Sequence, residues 1–350
     1  MKRDLGNTPY SAWRNCTPGT WLILFLSLLM LSAGCSRGPT LPSGGPVRRV
    51  SIGIQTSPAM TLVMVAKEKG FFKAEGADVD LKEFTAGKFA LQAFLAGAID
   101  FAVSGEVPVC LASLQGNQIR VVTQVVETTV NEVRVVALKE PGVTDPRNYF
   151  NLKKRRLATS FGGGPEFFTH TFLRHNQIST QQVEIVSQRP EDMPAALEAR
   201  SVDAIAIFDP FAFIAEKRLG DKAITFADPS LYSEFYVLNA RPEQVQNNPQ
   251  VIEALLRALL RAANFISEKP NEAKQIMQRY TKLDSDVVDG IWANFSFRPA
   301  LVQKLIDYWN AQAIWALETG KVSPGTRIPD FRRIVDDRFL KRLDPARVRL

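Results

Sequence analysis

The sequence predicts an α/β fold built as two similar lobes of mostly parallel sheet, with a helical C-terminal region. Three observations carry this. Strand and helix signals alternate from residue 50 to residue 138, which implies a parallel sheet with helices on its faces. The same alternation restarts at Asn151. And one segment occurs twice: A-L-Q-A-F-L-A-G-A-I-D-F-A-V-S-G-E-V-P at 90–108 and M-P-A-A-L-E-A-R-S-V-D-A-I-A-I-F-D-P-F at 193–211. Each copy runs helix-like to an aliphatic–Asp pair (Ile99-Asp100, Val202-Asp203). Each then becomes a short apolar strand and ends in an acid, Glu106 or Asp209, with a proline close behind.

Residues 1–34 read as a secretory signal. Lys2, Arg3 and Arg14 form a basic start, and Trp21–Leu31 is an apolar run of 11 residues before Ser32-Ala33-Gly34. A membrane span needs about 20 such residues, so the run is too short for one. Leu31-Ser-Ala-Gly-Cys35 resembles the bacterial lipoprotein signal, with Ser32 where an aliphatic residue is usual. That resemblance implies a lipidated Cys35 as the first mature residue, and an ordinary cleaved signal is the alternative. Residues 35–48 then form a Gly/Pro/Ser tether with nothing to pack.

The full chain carries a formal charge of +7; residues 1–34 take three bases and one acid with them, leaving +5. The excess is mild and scattered. The dense run Lys153-Lys154-Arg155-Arg156 has no interleaved aromatics and reads as a solvated edge rather than a nucleic-acid patch. Past residue 35 the single cysteine is Cys110, inside V-P-V-C-L-A-S-L, which reads as a small buried hydrophobe. His170 and His175 fall about 140° apart around one helix. No metal, cofactor or disulfide framework is expected.

Strands are expected over 50–54, 79–84, 99–103, 120–126 and 133–138, then 156–160, 183–186, the end of the second repeat, 223–226 and 235–238. From Pro249 to Leu317 apolar spacing predicts helices, with Pro249, Pro270 and Pro299 near their starts. Ligands of α/β sheets bind beyond the carboxyl ends of the strands. Four loops of that kind carry small, hydroxyl and acidic residues: Gln55, Thr56 and Ser57; Thr85 and Gly87; Ser104, Gly105 and Glu106; and Gly163, Gly164, Pro165 and Glu166. With Asp209, these are the candidate ligand-binding residues. Helix capping explains any single loop equally well. No Gly-Lys-Ser/Thr follows the glycines at 162–164, and no nucleophile–base set is apparent, so no catalytic residues are expected.

The stretch Ala66-Lys-Glu-Lys-Gly-Phe-Phe72 with Gly76 and Val79 resembles the start of solute-binding proteins of bacterial ABC importers. The relevant branch takes up alkanesulfonates, taurine, nitrate or thiamine-pyrimidine precursors. Ser104-Gly-Glu-Val-Pro108, Ser201-Val-Asp-Ala204, Phe208-Asp-Pro-Phe211 and Ile328-Pro-Asp-Phe331 continue the likeness, which covers residues 49–342. It implies a type II periplasmic-binding-protein fold that closes on its ligand. Lobe 1 would be residues 49–137 plus 238–342, lobe 2 residues 138–237, and 343–350 a tail. The implied protein is an exported, lipid-anchored monomer rather than an enzyme, with a small-molecule ligand and a cognate ABC permease and ATPase as partners. A sulfonate or taurine-like ligand is favoured; a thiamine-type pyrimidine precursor, a nitrate- or bicarbonate-type anion, or a ligand-sensing lipoprotein are the alternatives. The related fungal thiamine-pyrimidine synthases use an active-site histidine and a cysteine-rich motif; this chain has no histidine in its first lobe and no such cysteine cluster. The acids at the candidate loops, with Lys88 the nearest base, favour a ligand with an amine end, and Asp209 is its expected partner.

Overall fold

A computed structural model describes residues 48–129, 132–151, 153–228 and 230–350. The signal, Cys35 and the tether lie outside these residues. Two sheets organise the chain. The first contains β1 (Arg48–Gln55), β2 (Ala77–Phe84), β3 (Phe101–Gly105), β4 (Arg120–Thr128), and later strands described below. The second contains β5 (Arg134–Leu138), β6 (Arg155–Thr159), β7 (Val183–Ser187), β8 (Ala204–Ile207) and β9 (Ala223–Phe226). The chain then returns to the first sheet with β10 (Phe235–Ala240) and the two-residue β11 (Phe295–Ser296).

Each sheet is built on a parallel trio. β1 pairs in parallel with β2 and β3, and β6 with β7 and β8. These strands read as apolar runs because both faces are covered by helices: every residue of β3 and β8 is buried. The strand that crosses between sheets then adds antiparallel pairing beside each trio. β5 lies between β8 and β9, while β10 inserts between β3 and β4, completing the order β11-β4-β10-β3-β1-β2.

The repeat in the sequence is thereby a repeat in structure. Asp100 Oδ2 accepts the backbone N–H of Ser51 in β1 at 2.8 Å, and Asp203 Oδ2 accepts that of Arg156 in β6 at 2.8 Å. In both lobes the acid before the third strand of the trio ties it to the first. The crossing points differ from the expected boundaries. Arg134–Ala137 pair with β8, and Phe235–Val237 pair with β4, so the crossings precede β5 and β10 rather than falling at 137/138 and 237/238. Pairing continues through those residues because their apolar alternation continues.

The helices Pro249–Glu268 and Pro270–Thr281 pack on the first lobe through Ile252, Leu255, Leu259 and Ile276, all nearly fully buried. The helix Gln303–Glu318 lies against Glu106–Leu114, with Trp309 fully buried. Cys110 is buried there as expected, its Sγ facing the Trp309 carbonyl at 3.5 Å, and burial pushes its thiol up. The basic run departs from a solvated edge in one residue. Arg155 is buried, stacked over Tyr149 and bonded to Glu140 at 2.8 Å, because its position in β6 faces inward while its neighbours face water.

Candidate functional site

The carboxyl ends of the two parallel trios face the same partly open cavity of about 40 Å³. Its wall draws Gln55, Gly87, Lys88 and Gly105 from the first lobe, and Phe161, Gly163, Gly164, Pro165 and Phe208 from the second. Glu234 and Tyr236, at and just after the second crossing, close it. Three helices begin at or near this space, Gly87–Leu95, Glu106–Leu114 and Gly164–His175, and none has a side-chain cap. Simple capping by Ser or Thr therefore does not account for the small residues at these starts. Glycine does, by closeness: a Cβ on Gly164 would lie 2.5 Å from the Tyr232 hydroxyl and 2.6 Å from Glu234 Oε1. One on Gly87 would lie 3.3 Å from both Gln55 Oε1 and the Ser104 Cα.

Gln55 organises the first-lobe wall. Its Oε1 accepts the Gly87 N–H at 2.9 Å, and its Nε2 donates to Ser57 Oγ at 2.7 Å and the Tyr236 hydroxyl at 3.3 Å. The Tyr236 hydroxyl donates to Glu234 Oε2 at 3.2 Å. Lys88 reaches across the cleft and donates to the Phe161 carbonyl at 2.9 Å.

Other expected residues stand apart. Thr56 is exposed and donates to Glu83, and Thr85 is exposed. Ser104 is buried in the sheet, where it accepts from Asn239. Glu106 is fully engaged in structure: Tyr232, Gln312 and the backbone N–H of Phe235 all donate to its carboxylate. Burial outweighs these donors and pushes its carboxyl up to about 7. Glu166 Oε2 accepts the Gly162 N–H at 2.7 Å while Oε1 pairs with Lys321.

Asp209, the expected amine partner, is already occupied. Arg134 lies 3.0 Å from Oδ1, Asn294 donates to Oδ2 at 2.7 Å, and the Phe213 N–H reaches Oδ1 at 3.2 Å. It is absent from the cavity wall. Arg134 sits in the antiparallel strand beside β8, a neighbour set by the crossing and invisible at 75 residues' separation.

The acid that does face the cavity is Glu234, buried at 4% exposure. Burial, then the charge of Glu106, push its carboxyl well above the usual range. Glu132, on the other crossing, is raised by burial and then by Glu234 and Asp209, and its Oε2 has no hydrogen-bond partner. Both were missed because a lone acid before an apolar strand carries no periodic signal. His170 packs on Trp315 and exposed His175 lies 3.2 Å from Asp228; among the described residues no group of three or more His, Cys, Asp or Glu side chains is arranged to hold a metal ion.

The fold is that of the periplasmic binding proteins. The periplasmic aliphatic sulphonate binding protein SsuA from Escherichia coli superposes with a TM-score of 0.70 at 20% identity, over 82% of this chain and 96% of that one. The periplasmic nitrate-binding protein NrtA from Synechocystis PCC 6803 does so with a TM-score of 0.69 at 14% identity, over 86% and 89%. In sequence, a candidate aliphatic sulfonates-binding protein of Bacillus subtilis (strain 168) is 23% identical over 92% of this chain and 96% of its own length. The taurine-binding periplasmic protein of Escherichia coli (strain K12) is 24% identical over 61% and 65%. Residues 57–273 match the family model described as NMT1/THI5 like, more than half of the chain, and the protein belongs to that family.

Proposed function

We propose that this protein is the extracytoplasmic solute-binding component of an ABC importer. It captures a small organic solute between its lobes and presents it to a membrane permease coupled to an ATPase. The observation that carries this is the partly open cavity at the facing carboxyl ends of two parallel trios, walled by both lobes and by the returning strand. The names of the relatives support a sulfonate- or taurine-like ligand and an exported location.

The moving bodies in this reading are the first lobe, with the long C-terminal helices, and the second lobe spanning β5 to β9. In this reading the solute enters with the lobes apart, and closure follows because only the closed state gains contacts from both. The starts of the helices Glu106–Leu114 and Gly164–His175, which receive no cap from their N-cap residues, favour an acceptor group on the solute. Gln55, Ser57, Gly87, Gly105, Gly163, Gly164 and Pro165 stay in the proposed site; Thr56, Thr85, Ser104, Glu106, Glu166 and Asp209 support it from outside the wall or lie beyond it.

Purified protein melted with taurine, alkanesulfonates, nitrate and an aminopyrimidine tests the proposal. A true ligand at about 100 times its Kd raises stability by about 2.7 kcal/mol and shifts the melt accordingly. Chemical turnover of any of them would instead mark an enzyme.

A further inference from the structure

We propose that the cavity is a cation subsite, in which Glu234 Oε1 holds the amino end of the solute. This rests on the solute-binding reading and adds the ligand's charge to it. Glu234 is more than nine-tenths buried, and what remains exposed is cavity wall. Its Oε2 accepts from Tyr236, whereas Oε1 receives no hydrogen bond from the described residues. Oε1 lies against two glycine backbones, where a Cβ on Gly105 would stand 3.0 Å from it and one on Gly164 2.6 Å. Glycine at both positions is what lets this oxygen stand at the wall without a side chain packed over it.

The charges around it point the same way. Lys88 is the basic side chain of the wall, and its ammonium is held by the Phe161 carbonyl. Arg134, the nearest buried guanidinium, is engaged by Asp209 and by Glu216 at 2.7 Å. Facing Glu234 are Glu106 from the first lobe, Tyr232 from the same returning segment, Glu132 from the other crossing, and Tyr236 from β10. An ammonium supplies the donors that Oε1 lacks, and such charge-assisted bonds are worth about 1.5–3 kcal/mol.

Burial and then the charge of Glu106 push the Glu234 carboxyl well above the usual range. A cationic amine at Oε1 favours the ionised carboxylate over the carboxyl, so its binding draws proton from the coupled acids into solvent. Affinity for the amine rises with pH until the folded carboxyl would ionise unaided. A solute without the amine would show no release, or the opposite dependence.

Calorimetry on the mature chain, in two buffers of different ionisation enthalpy, compares taurine with ethanesulfonate and β-alanine with propionate, which differ in the amino group alone; nitrate serves as the bare anion. The expected result is that the aminated member binds at least about tenfold tighter and releases a proton, and that Glu234→Gln removes that advantage, in line with the loss of one charged hydrogen bond. Gln keeps the side-chain volume and the acceptor for Tyr236, and the proton count on the wild type needs no variant at all. Equal or tighter binding of the unaminated acids or nitrate, proton uptake with the amine, or undiminished taurine affinity in Glu234→Gln overturns the assignment while solute binding stands. If no probe of any charge binds, both proposals fall.

Discussion

Glu106 lies close enough to Glu234 to raise it, yet the two acids do different things. Glu106 is a structural acid, anchoring the return of the chain through the Phe235 N–H at 2.9 Å and the helix Gln303–Glu318 through Gln312 at 2.9 Å. Its folded pKa of about 7 lies above the ordinary 4.5, so it favours the folded state fully below about 4.5 and that contribution is lost as pH rises to about 7. Denaturant unfolding should show this as a loss on the order of 3 kcal/mol across that window, and Glu106→Gln should flatten its share of the slope. Gly164→Ala tests the close approach: the new methyl has no room beside Tyr232 and Glu234. We expect a loss of about 1–3 kcal/mol in stability and loss of ligand binding, read by melting with and without taurine. At this scale the sequence was least legible. It marked the glycines by their position after strands, but it weighed Asp209 as the amine partner because Arg134, Asn294 and Phe213 become its neighbours only through the fold.

Strands and helices were far more legible, because burial on both faces writes a continuous apolar run that survives without any knowledge of partners. The runs at β3 and β8 were read directly, and the acids Asp100 and Asp203 marked their equivalence before the bonds to Ser51 and Arg156 were known. What escaped was short or non-local: the two-residue β11, and the exact crossing points, where apolar alternation passes through the boundary unbroken. The start of the helix Phe211–Leu219 is fixed by Asp209, whose pairing with Arg134 ties it to β5. Arg134→Met strips the cation from a buried acid and should cost about 3–5 kcal/mol, measured by denaturant unfolding. Asp209→Asn, by contrast, should lower the melting temperature yet leave ligand affinity within about threefold, since Asp209 is not in the cavity wall.

In the whole molecule, several side-chain ties span the lobes, among them Lys88 to the Phe161 carbonyl, Lys321 to Glu166, Lys217 to Asp286 and Asn294 to Asp209. Glu166 is 1% exposed, so Lys321→Met leaves an acid buried without its cation whenever the lobes meet. We expect a larger radius of gyration in solution scattering without ligand, and a severalfold weaker ligand affinity, because closure then carries a penalty. Cys35→Ser should shift the exported protein from the membrane fraction to the soluble one, and a wild type already soluble and unlipidated would remove the anchor from the proposal. The position of β10 has a consequence for how the chain is made. The second sheet is contiguous, residues 134–226, whereas the first has a gap between β3 and β4 until residues 235–240 arrive to fill it. During synthesis or transport the lobe that starts first must therefore finish last, holding two open strand edges while the later lobe assembles. Pulse-labelled hydrogen exchange during refolding should accordingly protect the amides of β6 and β8 before those joining β3 to β10, and any factor that guards the nascent chain would have its work at those two edges.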